Sequence, residues 1–310
     1  MIDNKKDEGF SIIYKDSFHP FKSAEAQKEY VDYYMQVEKT WPVKYENVMV
    51  DTSYGSTHVR ICGPENAPPL VLLPGDTQSS LSWKNQIETL SRDYRTYMPD
   101  QINDYGLSIR SKPIKNKQDF IAWLDELLKG LNLNNINLLG FSYGGGLSLI
   151  YTIAHPGKVN KLILIAPACR NWPLKPKVLF RLIIQDMLRT RKIITNHLYW
   201  ECSDAVKKND ITHSIVDDMI NDLMLCRKCF KKHKWIMPFM IKNDEWRNIK
   251  APTYFIVGEN DVLVSAHEAV QLLNTVAPNI KTTIISEAGH DLLIVKSEVI
   301  CKEILNFLRN

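Results

Sequence analysis

The sequence lacks an apolar stretch at its start: residues 1–10 mix charges of both signs, which is not the pattern of a secretory signal. Long uncharged runs are also scarce. One window, Ile136 to Ala154, approaches membrane-spanning length, but its three consecutive glycines and its strand-turn-helix reading make it a buried core segment. No transmembrane helix is expected. Cysteine is sparse, with six in 310 residues. Without an export signal, six such residues fit free thiols in a reducing compartment better than a disulfide framework, so a cytoplasmic location is expected. Neither an internal repeat nor a low-complexity segment is evident. Net charge is small as well, at +4, but it is unevenly spread. Residues 170–250 hold 17 Lys or Arg against 9 Asp or Glu, while the rest of the chain holds 22 against 26. That basic surplus fits a solvated helical face, an anionic substrate, an anionic surface or an acidic partner.

What is present is an alternation of strand and helix signals at a length suited to one large α/β core. Lys22 to Trp41 reads as an amphipathic helix, with Tyr30, Tyr33, Tyr34, Val37 and Trp41 at helical spacing and Pro42 ending it. Tyr45 to Val50 and Thr57 to Cys62 read as a hairpin. Leu70 to Leu73, Tyr94 to Met98, Ile136 to Phe141, Lys161 to Ala166, Thr253 to Val257 and Lys281 to Ile285 read as further strands. Helices are expected at Leu81 to Leu90, Asp119 to Leu131, Gly145 to Ala154, Ala266 to Val276 and Leu292 to Leu308. The pattern predicts a mostly parallel central sheet flanked by helices, with a helical cap inserted after the sixth strand. The expected organisation is an N-terminal arm (1–42), a core (43–168 and 253–310) and the cap insert (169–252), lying over the sheet edge where open α/β folds bind ligands.

The segment Gly140-Phe141-Ser142-Tyr143-Gly144 matches G-x-S-x-G between a strand-like run and a helix-like run. A sharp turn there strains the serine backbone and excludes bulky side chains two residues to either side, a demand that Gly140 and Gly144 meet. A serine hydroxyl needs a base within hydrogen-bond reach and a third group to orient that base. His290, just past the last strand, and Asp261, just past the strand before it, would both reach the sheet's carboxyl edge. Glu259 and Asp291 compete with Asp261; Glu259 is nearer the strand and Asp291 adjoins His290. The other histidines, His58, His155, His197 and His213 among them, have no comparable position and read as structural or solvated. For the oxyanion, the backbone N–H of Tyr143 opens a helix, and that of Asp76 lies in the turn Pro74-Gly75-Asp76, where Gly75 is expected to make the bend. Cys226, Cys229 and His233 have the spacing of a partial zinc site, but they lack a fourth ligand and sit among five Lys or Arg, so neither metal nor cofactor is expected. Trp172, Phe180, Trp200, Trp235 and Phe239 read as the cap's own core or as lining for an apolar acyl pocket.

With these residues in view, the chain resembles the α/β-hydrolase superfamily, and nearly all of it looks like the bacterial carboxylesterase-like members. The likeness extends to Phe21-Lys22-Ser23 through Trp41-Pro42-Val43, to Gly63 through Leu73, and to the loop from Asp100 through Gly106 to Ser108. It implies Ser142 as nucleophile, Asp261 as orienting acid, His290 as base, and Asp76 and Tyr143 as oxyanion-hole positions, in a serine hydrolase acting on a small carboxylic ester. One departure stands out. Such proteins usually have His-Gly and a small or apolar residue where this chain has Pro74-Gly75-Asp76, and an ionised Asp76 facing the site would oppose an oxyanion. Thioesters, lactones, amides and carbon–carbon bonds are cleaved by the same constellation. An acyl-transfer or cyclising enzyme docking an acidic carrier through the basic cap, and a non-hydrolytic ligand-binding protein on this fold, are the alternative readings.

Overall fold

Apolar runs without alternation make the central strands of this protein, because both of their faces are covered. In the computed structural model, which describes residues 19–169, 171, 176–232, 236 and 240–310, β1 (Tyr45–Thr52) and β2 (Gly55–Cys62) form an antiparallel hairpin. They are followed by β3 (Pro69–Leu73), β4 (Arg95–Pro99), a two-residue β5 (Ile109–Arg110), β6 (Ile136–Phe141), β7 (Val159–Ile165), β8 (Thr253–Gly258) and β9 (Lys281–Ile285). The sheet order is β1-β2-β4-β3-β6-β7-β8-β9, with β5 beside β2. Pairings from β4 through β9 are parallel and those of β2 are antiparallel. Every residue of β6 and β8 is buried, as expected of parallel strands under two helical layers. Edge strand β1 is mostly exposed.

The helices are α1 (Ala24–Glu38), α2 (Lys84–Leu90), α3 (Lys117–Gly130), α4 (Ser142–Ala154), α5 (Pro176–Met187), α6 (Arg191–Glu201), α7 (Ser203–Lys208), α8 (Asp210–Cys229), α9 (Asn243–Arg247), α10 (Ala266–Val276), α11 (Leu292–Val295) and α12 (Ser297–Arg309). Local chemistry sets several of their starts. Ser23 Oγ caps α1 by accepting from Ala26 N–H at 3.1 Å, and Asn116 Oδ1 accepts from Gln118 and Asp119 N–H at the start of α3. The apolar stripe Phe120, Trp123, Leu124, Leu127 and Leu128 then faces the core.

Two expectations need correction. The short β5, too brief to show a period in sequence, precedes the insert, so α5 to α9 follow the seventh strand in chain order rather than the sixth. The closing helix is also not continuous: α11 and α12 break at Lys296. Gln86 Nε2 donates to the Leu293 carbonyl at 2.7 Å and to Ser297 Oγ at 2.9 Å. The side chain from α2 thus occupies the carbonyl that a continuous helix would offer to the Ser297 N–H. Tyr34 of α1 bonds to Ser80 at 2.8 Å, while Phe21 packs at a tilt and Tyr30 edge-on against Phe230 at the end of α8, so α1 touches both the core and α8.

Candidate active site

Strand β6 runs straight into α4 with no connecting loop, and Ser142 sits at the junction with φ of +49°. A left-handed backbone is unfavourable for serine, costing on the order of 1–3 kcal/mol, and persists only where the surroundings over-determine it. The surroundings here do so. A Cβ on Gly140 would lie 2.3 Å from the Gly144 carbonyl oxygen, and one on Gly144 would lie 2.3 Å from the carbonyl oxygens of Leu73 and Pro74. The turn is therefore built on backbone-to-backbone contact that only glycine permits at those two places.

Because β6, β8 and β9 are parallel, the segments that follow them emerge at one edge. The loops after β8 and β9 are joined by Glu259 N–H to the Ile285 carbonyl and Asn260 N–H to the Ala288 carbonyl, both at 2.9 Å. This pairing sets Asp261 opposite His290. His290 Nδ1 lies 2.8 Å from Asp261 Oδ2 and His290 Nε2 lies 3.0 Å from Ser142 Oγ. Asp261 Oδ1 accepts from Leu263 and Val264 N–H at 2.8 Å each, which fixes the rotation of the carboxylate. Phe141 stacks on the His290 ring at 5.1 Å. The sequence-predicted Ser142, His290 and Asp261 are thus brought together. Their rivals are not: Glu259 is exposed, and both oxygens of Asp291 are occupied by backbone, Oδ2 by Ala205 N–H at 2.6 Å and Oδ1 by Gly289 N–H at 3.1 Å.

The turn after β3 differs from expectation in detail. The positive φ falls on Thr77, at +61°, and not on Gly75. Gly75 is small for another reason: a Cβ there would lie 3.1 Å from Gln78 Oε1 and 3.2 Å from the Phe141 ring. The N–H groups flanking Asp76 are engaged, Gly75 with Gln78 Oε1 at 3.2 Å and Thr77 with Asp104 Oδ2 at 2.8 Å. Asp76 is half-buried and lines a cavity of about 10 Å³ with Asp104, Asn103, Gln101, Phe120, Tyr143 and Ile236. Burial, and then the charge of Asp76, push the Asp104 carboxyl well above the ordinary range. Tyr143 is buried, and its N–H lies in the first turn of α4, at the positive end of the helix. A wider groove of about 560 Å³ lies between α3, α4 and Glu245 of α9, away from Ser142.

Sequence reasoning missed what the insert contributes. Glu201, the last residue of α6, reaches the site with Oε1 at 3.9 Å from His290 Nε2, and its Oε2 lies 2.9 Å from His197 Nε2. His197 is buried, and its Nδ1 has no partner among the described residues. Asp204 accepts from Asn260 Nδ2 at 3.0 Å and Lys208 Nζ donates to the Val295 carbonyl at 2.5 Å, so the α6–α7 junction is pinned beside both Asp261 and His290. The only sequence signal was the His197/Glu201 spacing of one helical turn, which any surface helix can show. Burial opposes protonation of His290, but Asp261, Glu201 and Asp291 together push its pKa up to about 9. Burial likewise opposes ionisation of Glu201. The hydrogen bond with His197 and the imidazoles of His290 and His197 outweigh it, so Glu201 lies below its ordinary pKa as a carboxylate.

Of the expected pocket aromatics, Phe180 is exposed on α5 and Trp200 packs against His197 and under Arg181, while Trp172, Trp235 and Phe239 lie outside the described residues. Cys226 and Cys229 are buried, and His233 lies outside the described residues. No group of three metal-ligating side chains occurs among the described residues, and no described helix is long and apolar enough to cross a membrane.

Residues 68–197 match a family described as alpha/beta hydrolase fold. The chain is 25% identical over 288 residues to carboxylesterase YbfK of Bacillus subtilis, covering 93% of this chain and 96% of that protein. It is 24% identical over 295 residues to a second B. subtilis carboxylesterase, nap, covering 90% and 91%. The crystal structure of YbfK, also called CesB, superposes with a TM-score of 0.81 at 25% identity over 92% of this chain and 98% of that one. That of the B. subtilis naproxen esterase gives 0.82 at 23% identity over 93% and 99%.

Proposed function

From a chain that has the α/β-hydrolase fold and is homologous over nine-tenths of its length to Bacillus carboxylesterases, we propose an ester-cleaving serine hydrolase with Ser142 as nucleophile, His290 as base and Asp261 as its orienting acid. The observation that carries this reading is the continuous contact from Asp261 Oδ2 through both nitrogens of His290 to Ser142 Oγ, at 2.8 and 3.0 Å. Asp261 holds the proton of His290 on Nδ1, which leaves Nε2 to accept the Ser142 proton. The alkoxide attacks the ester carbonyl, and the backbone N–H groups of Asp76 and Tyr143 are assigned to the oxyanion. His290 then gives its proton to the leaving alcohol, and water releases the acid from the acyl-enzyme. The chemistry needs no cofactor or metal.

The division of labour follows the chain: an arm at 1–42, a catalytic core at 43–168 and 253–310, and a cap at 169–252 that shapes access. Six cysteines, all unpaired and buried, support residence in the reducing cytoplasm. The exposed Lys231 and Lys232, within the basic surplus of the cap, favour one second reading, delivery of acyl groups by an acidic carrier protein. Binding of an acyl carrier that fades with salt and with charge reversal at these two lysines supports it.

The primary test is covalent labelling by a fluorophosphonate probe. Wild-type protein is expected to label stoichiometrically, and Ser142→Ala to lose both labelling and p-nitrophenyl ester hydrolysis above background while remaining folded. A folded wild type that does not label overturns the reading.

A further inference from the structure

We propose that Glu201, on the last turn of α6, is a catalytic residue of deacylation that holds the second hydrogen of the attacking water while His290 removes the first. This rests on the assignment of Ser142 and His290 made above. Once Ser142 is acylated its oxygen has no hydrogen to donate, and Nε2 of His290 is left facing Glu201 Oε1 across 3.9 Å. An oxygen about 2.8 Å from each atom, an ordinary hydrogen-bond length, would bridge that separation. Water can donate to both at once, one O–H to Nε2 and the other to Oε1, which leaves a lone pair for the acyl carbon on Ser142.

The carboxylate is suited to that duty by its surroundings. Glu201 Oε2 is occupied by His197 at 2.9 Å, which leaves Oε1 as the oxygen turned to the site. The Nδ1 of His197 is buried with no partner among the described residues, so its contact with Glu201 compensates the desolvation of this imidazole. Around it, Ala205, Asp204 and Lys208 anchor the same stretch of chain to Asp291, Asn260 and Val295, so Glu201 is tied to the loops that carry Asp261 and His290.

The step balances without any added reactant. The water O–H facing His290 breaks and its proton goes to Nε2, while the oxygen lone pair forms the bond to the acyl carbon. The tetrahedral intermediate collapses with cleavage of the carbon–Oγ bond, and Oγ takes the proton back from Nε2. The O–H held by Glu201 stays intact and leaves in the carboxylic acid.

Methanol separates this role from every other way in which Glu201 could matter, because it has one O–H and can engage His290 but not both acceptors. With p-nitrophenyl acetate in buffer containing methanol, the ratio of methyl acetate to acetate reports the competition for one acyl-enzyme. Glu201→Gln is expected to raise that ratio about tenfold, the size of one charge-assisted hydrogen bond in the transition state. Glu201→Ala, which removes the acceptor altogether, is expected to do the same and serves if the first variant folds poorly. A change only in the basicity of His290 or in cap packing slows both nucleophiles alike. An unchanged or lowered ratio in a variant that still forms acyl-enzyme on Ser142 overturns the role of Glu201 and leaves the triad standing. Absence of any acyl-enzyme on Ser142 in the wild type overturns the triad itself.

Discussion

Two buried aspartates in this protein each grip an imidazole, and only one of the pairs faces a site. Asp261 and His290 meet at 2.8 Å; Asp100 and His58 meet at 2.9 Å with side-chain exposures of 0% and 2%. Distance and burial are nearly the same, so neither distinguishes chemistry from structure. The difference lies at the far ring nitrogen. Nε2 of His290 faces Ser142 and Glu201, whereas Nε2 of His58 is buried with no partner among the described residues, its ring perpendicular to that of Tyr34. The aspartates differ too. Asp100 accepts from Ser80 and Leu107 N–H at 2.7 and 2.8 Å and from Tyr34 at 3.3 Å, joining α1, the turn before α2 and the loop after β4. Burial opposes its ionisation, but His58 and these donors hold it below the ordinary carboxylate range. On the proposed reading, the Asp261 pair differs from the Asp100 pair in that its outer nitrogen opens on a nucleophile, while the Asp100 pair serves as a clamp.

The largest effect that can break this comparison is expected at Asp261. Asp261→Asn permits the wrong tautomer of His290, and kcat toward a p-nitrophenyl ester should fall by about 10⁴. A loss under tenfold would mean that Asp261 is no more catalytic than Asp100. The converse substitution, Asp100→Asn, leaves buried donors without their acceptor and should cost about 3–5 kcal/mol in urea unfolding. The kcat per folded molecule should change less than about threefold, since the site lies elsewhere. A fall in kcat without a fall in stability would reverse the roles assigned here.

A smaller effect separates the pairs by pH. Below about 9 the His290 imidazolium cannot accept the Ser142 proton, so kcat/KM should rise about tenfold per pH unit between 7 and 9 and level off above. Glu201→Gln removes one of the carboxylates that raise this pKa and should move the rise to lower pH. A plateau already reached at pH 7 in the wild type would refute the shift. The folding contribution has the opposite slope: because the folded pKa is raised from 6.5, the stability it adds is complete below about pH 6.5 and is lost as pH climbs through about 9.

Much of this arrangement was legible because its causes are local or periodic. The elbow at Ser142 is visible as Gly140 and Gly144, since a Cβ at either would lie 2.3 Å from a backbone carbonyl oxygen. Placement after an apolar strand selected Asp261 and His290, but it could not discard Asp291, whose two oxygens are claimed by N–H groups of the insert and of its own loop. Gly75 was assigned the bend that Thr77 makes, because a sequence marks small residues and not the torsions that demand them. Nothing local distinguished His197 and Glu201 from a solvated pair one helical turn apart, and the break at Lys296 depended on Gln86 from a distant helix.

By itself the sequence determined the alternation of buried strands and amphipathic helices, the parallel sheet that follows from it, and the strained serine turn, because each depends on side-chain period or on backbone sterics over a few residues. Only the tertiary structure decided which carboxylate lies against His290, that a second Asp–His pair is buried away from Ser142, and that Glu201 faces His290. Those outcomes depend on what lies beside a polar atom once water is excluded, and that neighbour comes from elsewhere in the chain.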